Sequence, residues 1–408
     1  MAAAGVELVY RYTAESQAIS DGDHARLQLQ TSGGIAANPH LFDGWVTQSR
    51  PAAMVLLVLG RVARTRFYTP PAMMARIIEA ADPIVTADGE QVRFEVFSPC
   101  NGVYARLDLT PGALDGAFFA AGTTNVDFGP RMREVLTRIG GRDRMFVSIG
   151  PDEVAIASSR GRAVERRVKL PSRWIKGLAE VQLAQSRMDE QASIEGGAVA
   201  AFIQSLPAAP SRGQVFLQSV PGGLRLSRSS GDLEAGGIER LRFLRELAFL
   251  ASRMRVFGPS AGDPATAWAL DLPAMRLSVV LSPDATRGFS GEGTVLTGLA
   301  AQDGSAQQAA AGRLGYDLHE RHYFPRELPF NVDSIEADHP RLRGARRLAD
   351  EDAVRFLTAD EAIVSSSGVE HRVRWAADGA HCTCPWFARH GTRRGPCKHI
   401  LAAQMHRA

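Results

Sequence analysis

The chain has 408 residues, 45% of them apolar, and a formal net charge of only +3. That length calls for two or three domains with substantial cores, and the composition excludes a disordered chain and a polycation. The start "MAAAGVELVY" lacks the basic-then-apolar order of a secretory signal, and the longest apolar run, "AAMVLLVL" at 52–59, is too short to cross a bilayer. The expected location is therefore cytoplasmic, without membrane contact. In that reducing setting, clustered cysteines suggest a metal or reactive site rather than disulfides.

In chain order, "VELVYRY" (6–12) and "ARLQLQ" (25–30) alternate as half-buried strands do. Residues 52–65 read as a buried helix or strand. Thr69 before Pro70 and Pro71 marks a helix start leading into "AMMARIIEAA". "QVRFEVFS" and "VYARLDL" alternate around Asn101-Gly102, a hairpin signal. "MFVSIG" and "EVAIAS" flank the turn Pro151-Asp152, and "SRWIKGLAEVQLAQ" (172–185) has helical period.

A glycine break near 196–197 opens a second mixed region. "QVFLQSV" and "LRLSRS" flank Pro221-Gly222-Gly223, and "AWALDL" and "RLSVVLS" read as strands. Residues 237–254 form the clearest amphipathic helix by pattern. Residues 301–312, poor in large apolar side chains, read as a linker. The expected organisation is α+β and multi-domain. It comprises a mixed region 1–190, a second region 198–300, a linker 301–313, a connecting segment 314–359 and a small ββα zinc finger at 360–408.

In that last segment, "EAIVSSS" and "EHRVRWA" are strand candidates separated by Gly368, "AHCTC" is a third, and "PCKHILAAQM" has helical composition after a polar loop. Three of the four cysteines fall here, as Cys382-x-Cys384, twelve residues, then Cys397-x-His399. On a strand, residues i and i+2 share a face, so Cys382 and Cys384 can reach one ion. On a helix they do not. Pro396 predicts that the helix starts near Cys397, which puts Cys397 at the cap and His399 in the first turn. Three thiolates and one imidazole suit one tetrahedral zinc, and with no position left for water or substrate the zinc is structural. The competing reading is plain buried cysteines or a redox pair. It is weakened by the poor disulfide geometry of Cys-x-Cys and by the matching Cys-x-His downstream. His381 should face away from the ion, and His390 lies in the loop.

Cys382, Cys384, Cys397 and His399, with the strand–strand–helix order around them, resemble the SWIM zinc finger over about 360–408. The resemblance implies binding of a protein or nucleic-acid partner and no reaction. The rest of the chain, with "ERHYFPRELPF" at 320–330, is similar to bacterial SWIM-containing proteins thought to work beside an AAA+ ATPase and a von Willebrand A-type protein. That similarity implies an adaptor in a multi-protein assembly.

Residues 371–408 hold seven basic side chains and one acidic one, Asp378. Arg389, Arg393, Arg394 and Lys398, with Trp386 beside them, are the expected partner-contact residues, able to meet phosphates and stack on a base if the partner is nucleic acid. The bland alternative is that Trp386 merely covers the metal. "RLRGARR" (341–347) reads as a solvated helix face balanced by the following "ADED". Cys100 reads as a turn cysteine, and His319, Glu320 and His322 as surface or packing residues. "GFSGE" (288–292) lacks the second glycine of a nucleophile elbow, and no Gly-Lys pair exists for a P-loop. The expected protein is a non-enzymatic zinc protein that docks on protein partners, with DNA or RNA binding as the alternative.

Overall fold

The computed structural model describes residues 17–21, 24–28, 40–67, 83–168, 172–210, 213–259, 265–283, 288–289, 294–300, 304–326, 339–376 and 379–407. The expected strand at 6–12 and the helix after Pro71 lie outside these. The described chain mixes helices and sheets. Its largest element is an eight-stranded antiparallel sheet. The strand order is Met188–Glu195, Arg253–Pro259, Thr266–Leu272, Met275–Leu281, Val103–Leu109, Val92–Phe97, Ile84–Ala87, Gly122–Asn125. A five-stranded sheet runs Gly161–Arg166, Glu153–Ser158, Met145–Ile149, Phe42–Val46, Leu114–Phe118. The helix Ser49–Val62 resolves the ambiguity at 52–65. Its apolar face (Ala52, Val55, Leu56, Leu59) joins strands of both sheets in one core.

The hairpins expected around Asn101-Gly102, Pro151-Asp152 and Pro221-Gly222-Gly223 form, and Asn101 takes the left-handed φ of 54° that the first turn requires. The alternating strands around Asn101 are nevertheless buried on both faces. Val92, Phe94 and Val96 enter the main core. On the other face, Arg93, Glu95, Arg106 and Asp108 are covered by the hairpin Leu314–Asp317/His322–Pro325. Arg106 pairs with Asp108 at 2.9 Å and with Asp317 at 3.7 Å, and donates to the Tyr316 carbonyl at 2.6 Å. Arg326 meets Glu95 at 2.6 Å, and Glu95 also accepts from Tyr104 at 2.6 Å. Phe324 lies under Arg93, 4.0 Å from its guanidinium. The segment "ERHYFPR" thus brings Phe324 and Arg326 into a buried ionic lattice. Within it His319 is buried against Ser278 at 3.2 Å and Asp271 at 3.4 Å, while Glu320 and His322 are exposed.

Four expectations are corrected. Residues 237–254 do not form one α-helix. A 3-10 helix spans Ile238–Leu247, and Met254 belongs to a strand, opposite Leu270. The cause is tertiary. Buried Arg240 donates to the carbonyls of Gly102 (2.7 Å) and Gly237 (3.0 Å), pinning the start, and the sheet claims the end. The expected boundary near 190–198 does not separate two sheets: the strands Met188–Glu195 and Met275–Leu281 belong to the same sheet as Val103–Leu109. The expected linker contains the helix Gly304–Ala310, whose Ala309 and Ala310 are buried, because small side chains let it pack closely on the helices Ser172–Gln185 and Thr294–Ala300. Finally, the finger's sheet begins before 360. Its four strands are Val354–Thr358, Glu361–Ser366, Val369–Ala376 and Gly379–Cys382.

Candidate metal centre

The strand Gly379–Cys382 pairs with Val369–Ala376, with Cys382 opposite Val373 and His381 opposite Arg374. Alternation turns Cys382 inward, 7% exposed, and leaves His381 half-buried beside Phe387, as expected. Cys384 does not continue the strand. It is the N-cap of the helix Pro385–His390, and its Sγ accepts from the Phe387 N–H at 3.4 Å. Pro385 ends the strand because it has no N–H to donate and its fixed φ suits a first helical turn. The expected polar loop therefore carries a short helix and a 3-10 turn, Gly391–Arg394. Cys397 caps the helix Lys398–Met405 and puts His399 in its first turn, as Pro396 predicted.

Two of the three cysteines thus stand at helix N-termini, where amide N–H groups and the helix dipole favour a thiolate. The Cys382 and Cys397 sulfurs lie 3.8 and 4.0 Å from His399 Nδ1, and the four candidate ligand atoms are all within 4.8 Å of one another. A tetrahedral zinc with bonds near 2.3 Å holds its sulfurs about 3.8 Å apart. The four groups therefore fit one zinc with little movement. The hydrogen bond from Cys382 holds the Cys397 thiol down to about 4, while the same bond, with burial, pushes the Cys382 thiol up. Burial and the neighbouring His399 hold His371 below its ordinary value, its ring 4.2 Å from that of His399. Among the described residues this is the one cluster of metal-ligating side chains.

The surroundings decide what the remaining residues do. Lys398 donates to Ser366 at 2.9 Å, and Trp386 is half-buried beneath Arg341, 4.8 Å from its guanidinium. Arg389 and Arg394 are exposed, and the Arg393 side chain lies outside the described atoms. Outside the expected set, Arg372 and Arg374 share Glu361 at 2.8 and 3.5 Å, and Arg407 pairs with Asp360 at 2.6 Å. The expected "solvated" helix at 341–347 proves half-right. The helix Pro340–Asp350 buries Leu342, Ala345 and Leu348, and its Arg341 donates to the loop carbonyls of Arg394 (2.6 Å) and Pro396 (2.9 Å). The three-residue spacing of those apolar side chains was the available signal. Cys382, Cys384 and Cys397 share one core with Ala179, Leu183, the helices Thr294–Ala300 and Gly304–Ala310, and Pro340–Asp350.

The SWIM zinc finger family model matches residues 371–406. No curated protein matches the chain. Among solved structures, the chain is similar to proliferating cellular nuclear antigen from Entamoeba histolytica (10% identity, 60% of this chain and 99% of that one, TM-score 0.39). It is also similar to a PCNA2–PCNA3 complex from Sulfolobus tokodaii (9% identity, 60% and 99%, TM-score 0.43). Both scores fall below the level that marks a shared fold. Ligand spacing, geometry and family match agree, and the C-terminal segment 371–406 is a SWIM zinc finger built on one structural zinc site.

Proposed function

We propose that the protein is a non-enzymatic, cytoplasmic adaptor whose zinc finger docks onto a protein partner. One observation carries this reading: the finger's cations and aromatics are largely engaged within the molecule. Arg372, Arg374 and Arg407 are met by Glu361 and Asp360, Lys398 by Ser366, and Trp386 is covered by Arg341. A phosphate-binding surface needs cations that are free to replace counterions. The closed ligand set leaves the zinc no position for substrate, which supports a non-catalytic role. Reduced, metal-ready thiols suit a cytoplasmic setting, and no helix among the described residues is long and apolar enough to cross a membrane. A partnership with an AAA+ ATPase and a von Willebrand A-type protein rests on the sequence resemblance alone.

The second reading, nucleic-acid binding, is favoured by Arg389 and Arg394, both exposed on the zinc loop and without ion-pair partners among the described residues. The discriminating experiment is a salt series with single- and double-stranded DNA and with RNA. The zinc-free Cys397→Ser variant and a zinc-loaded Arg389→Glu/Arg394→Glu variant serve as controls. Absence of binding at low salt fits the adaptor. Tight, salt-sensitive binding lost in both variants replaces the adaptor with the nucleic-acid reading.

A further inference from the structure

Away from the finger, a cavity of about 360 Å³ opens where the strand Phe42–Val46 turns into the helix Ser49–Val62. Its walls include Trp45, Arg50, Asp115, Arg142, Asp143 and Arg144. The two carboxylates are already met. Asp143 accepts from Ser159 at 2.7 Å and from the Gly140 N–H at 2.8 Å and pairs with Arg160, and Asp115 faces Arg144 at 3.7 Å. Arg144 also lies over Trp45, 4.4 Å from its ring. Arg50 and Arg142 differ: both are exposed, and neither has a hydrogen-bond or ion-pair partner among the described residues. With Asp115 and Asp143 already met, these two guanidiniums leave the cavity with uncompensated positive charge.

The helix start adds to that charge. No acidic residue stands in its first turn, and Gln48 offers no side-chain cap. A guanidinium fork matches the oxygens of a phosphate and binds them in pairs. We propose that this cavity is a binding site for an organic phosphate, held by Arg50 and Arg142 beside the Trp45–Arg144 stack. The phosphate can come from a free nucleotide or from a nucleic-acid strand, and the site is independent of the finger.

The test uses the full-length, zinc-loaded protein. Inorganic phosphate and adenosine monophosphate are titrated by calorimetry, and a fluorescein-labelled oligothymidylate by anisotropy. Saturable binding of adenosine monophosphate is expected, weakened roughly tenfold or more by Arg50→Ala/Arg142→Ala. It should be unchanged by Arg389→Glu/Arg394→Glu. Both cavity arginines are exposed, so the double variant should keep the parent's melting temperature. Arg50→Lys/Arg142→Lys, which keeps the charge, should recover part of the affinity. Binding of the oligothymidylate alone, with the same dependence on Arg50 and Arg142, upholds the site and identifies its source as a strand. Failure of all three probes to saturate up to millimolar concentration overturns the proposal, as does unchanged affinity in Arg50→Ala/Arg142→Ala.

Discussion

Stripping the zinc should unfold much more than the finger. The three ligand cysteines share a core with Val295, Leu296, Leu299, Leu342 and Leu348, and none of them belongs to the main core between the two large sheets. A structural zinc contributes about 10–16 kcal/mol of coupled folding energy. A domain's net stability is about 5–15 kcal/mol, so the metal-free C-terminal unit falls near or below zero. Once the finger opens, those five side chains lose one wall of their core, and full burial is worth about 1.5–3 kcal/mol each. The helices Thr294–Ala300, Gly304–Ala310 and Pro340–Asp350 should therefore loosen with it. The assay is hydrogen exchange with mass spectrometry, comparing zinc-loaded protein with chelated protein. Protection should fall across 294–310 and 340–405 and persist in Val92–Phe97, Val103–Leu109 and Thr266–Leu272. Loss confined to 379–399 would refute the shared core, and loss across the large sheets would refute the separation of the two cores.

The purified protein should hold one zinc per chain by elemental analysis. Cys397→Ser should abolish it, whereas Cys100→Ser, whose sulfur sits by Ser98 in a distant turn, should not. Arg326→Met leaves Glu95 buried without its charge partner and should cost about 3–5 kcal/mol in denaturant unfolding; a loss under about 1 kcal/mol would mean the lattice is slack. Burial pushes the Asp317 carboxyl up, but Arg106, the Glu320 amide, His319 and Arg93 outweigh it and hold it down to about 2. Because the folded value lies below the ordinary 3.8, its stabilisation is full above about pH 4 and is lost as pH falls towards 2. Asp317→Asn should therefore flatten stability in that window by about 2 kcal/mol, and an unchanged pH profile would remove Asp317 from the lattice.

Local signals were enough for the metal centre. Four ligands spaced C-x-C and C-x-H, with a proline before the last pair, fixed the ligand set and the helix start, because a cap and a first turn are decided by adjacent residues. Hairpins marked by Asn-Gly and Pro-Gly-Gly were equally legible. What the sequence could not show was what covers what. The alternation of Val92–Phe97 marks a strand but not the burial of its polar face: Arg93 and Glu95 are buried because their partners Asp317 and Arg326 lie more than two hundred residues away. The pattern at 237–254 was helical until Arg240 and the sheet register divided it. The alanines at 309 and 310 looked like a linker and proved to be a close-packed surface. Even the finger's charge, seven bases against one acid within 371–408, is muted by Asp360 and Glu361 just outside that window. Sequence by itself determined the chemistry of the zinc site, since metal ligation depends on a few nearby side chains. Tertiary structure alone decided which arginines remain free to meet a partner, since pairing over long sequence distances is set by the fold.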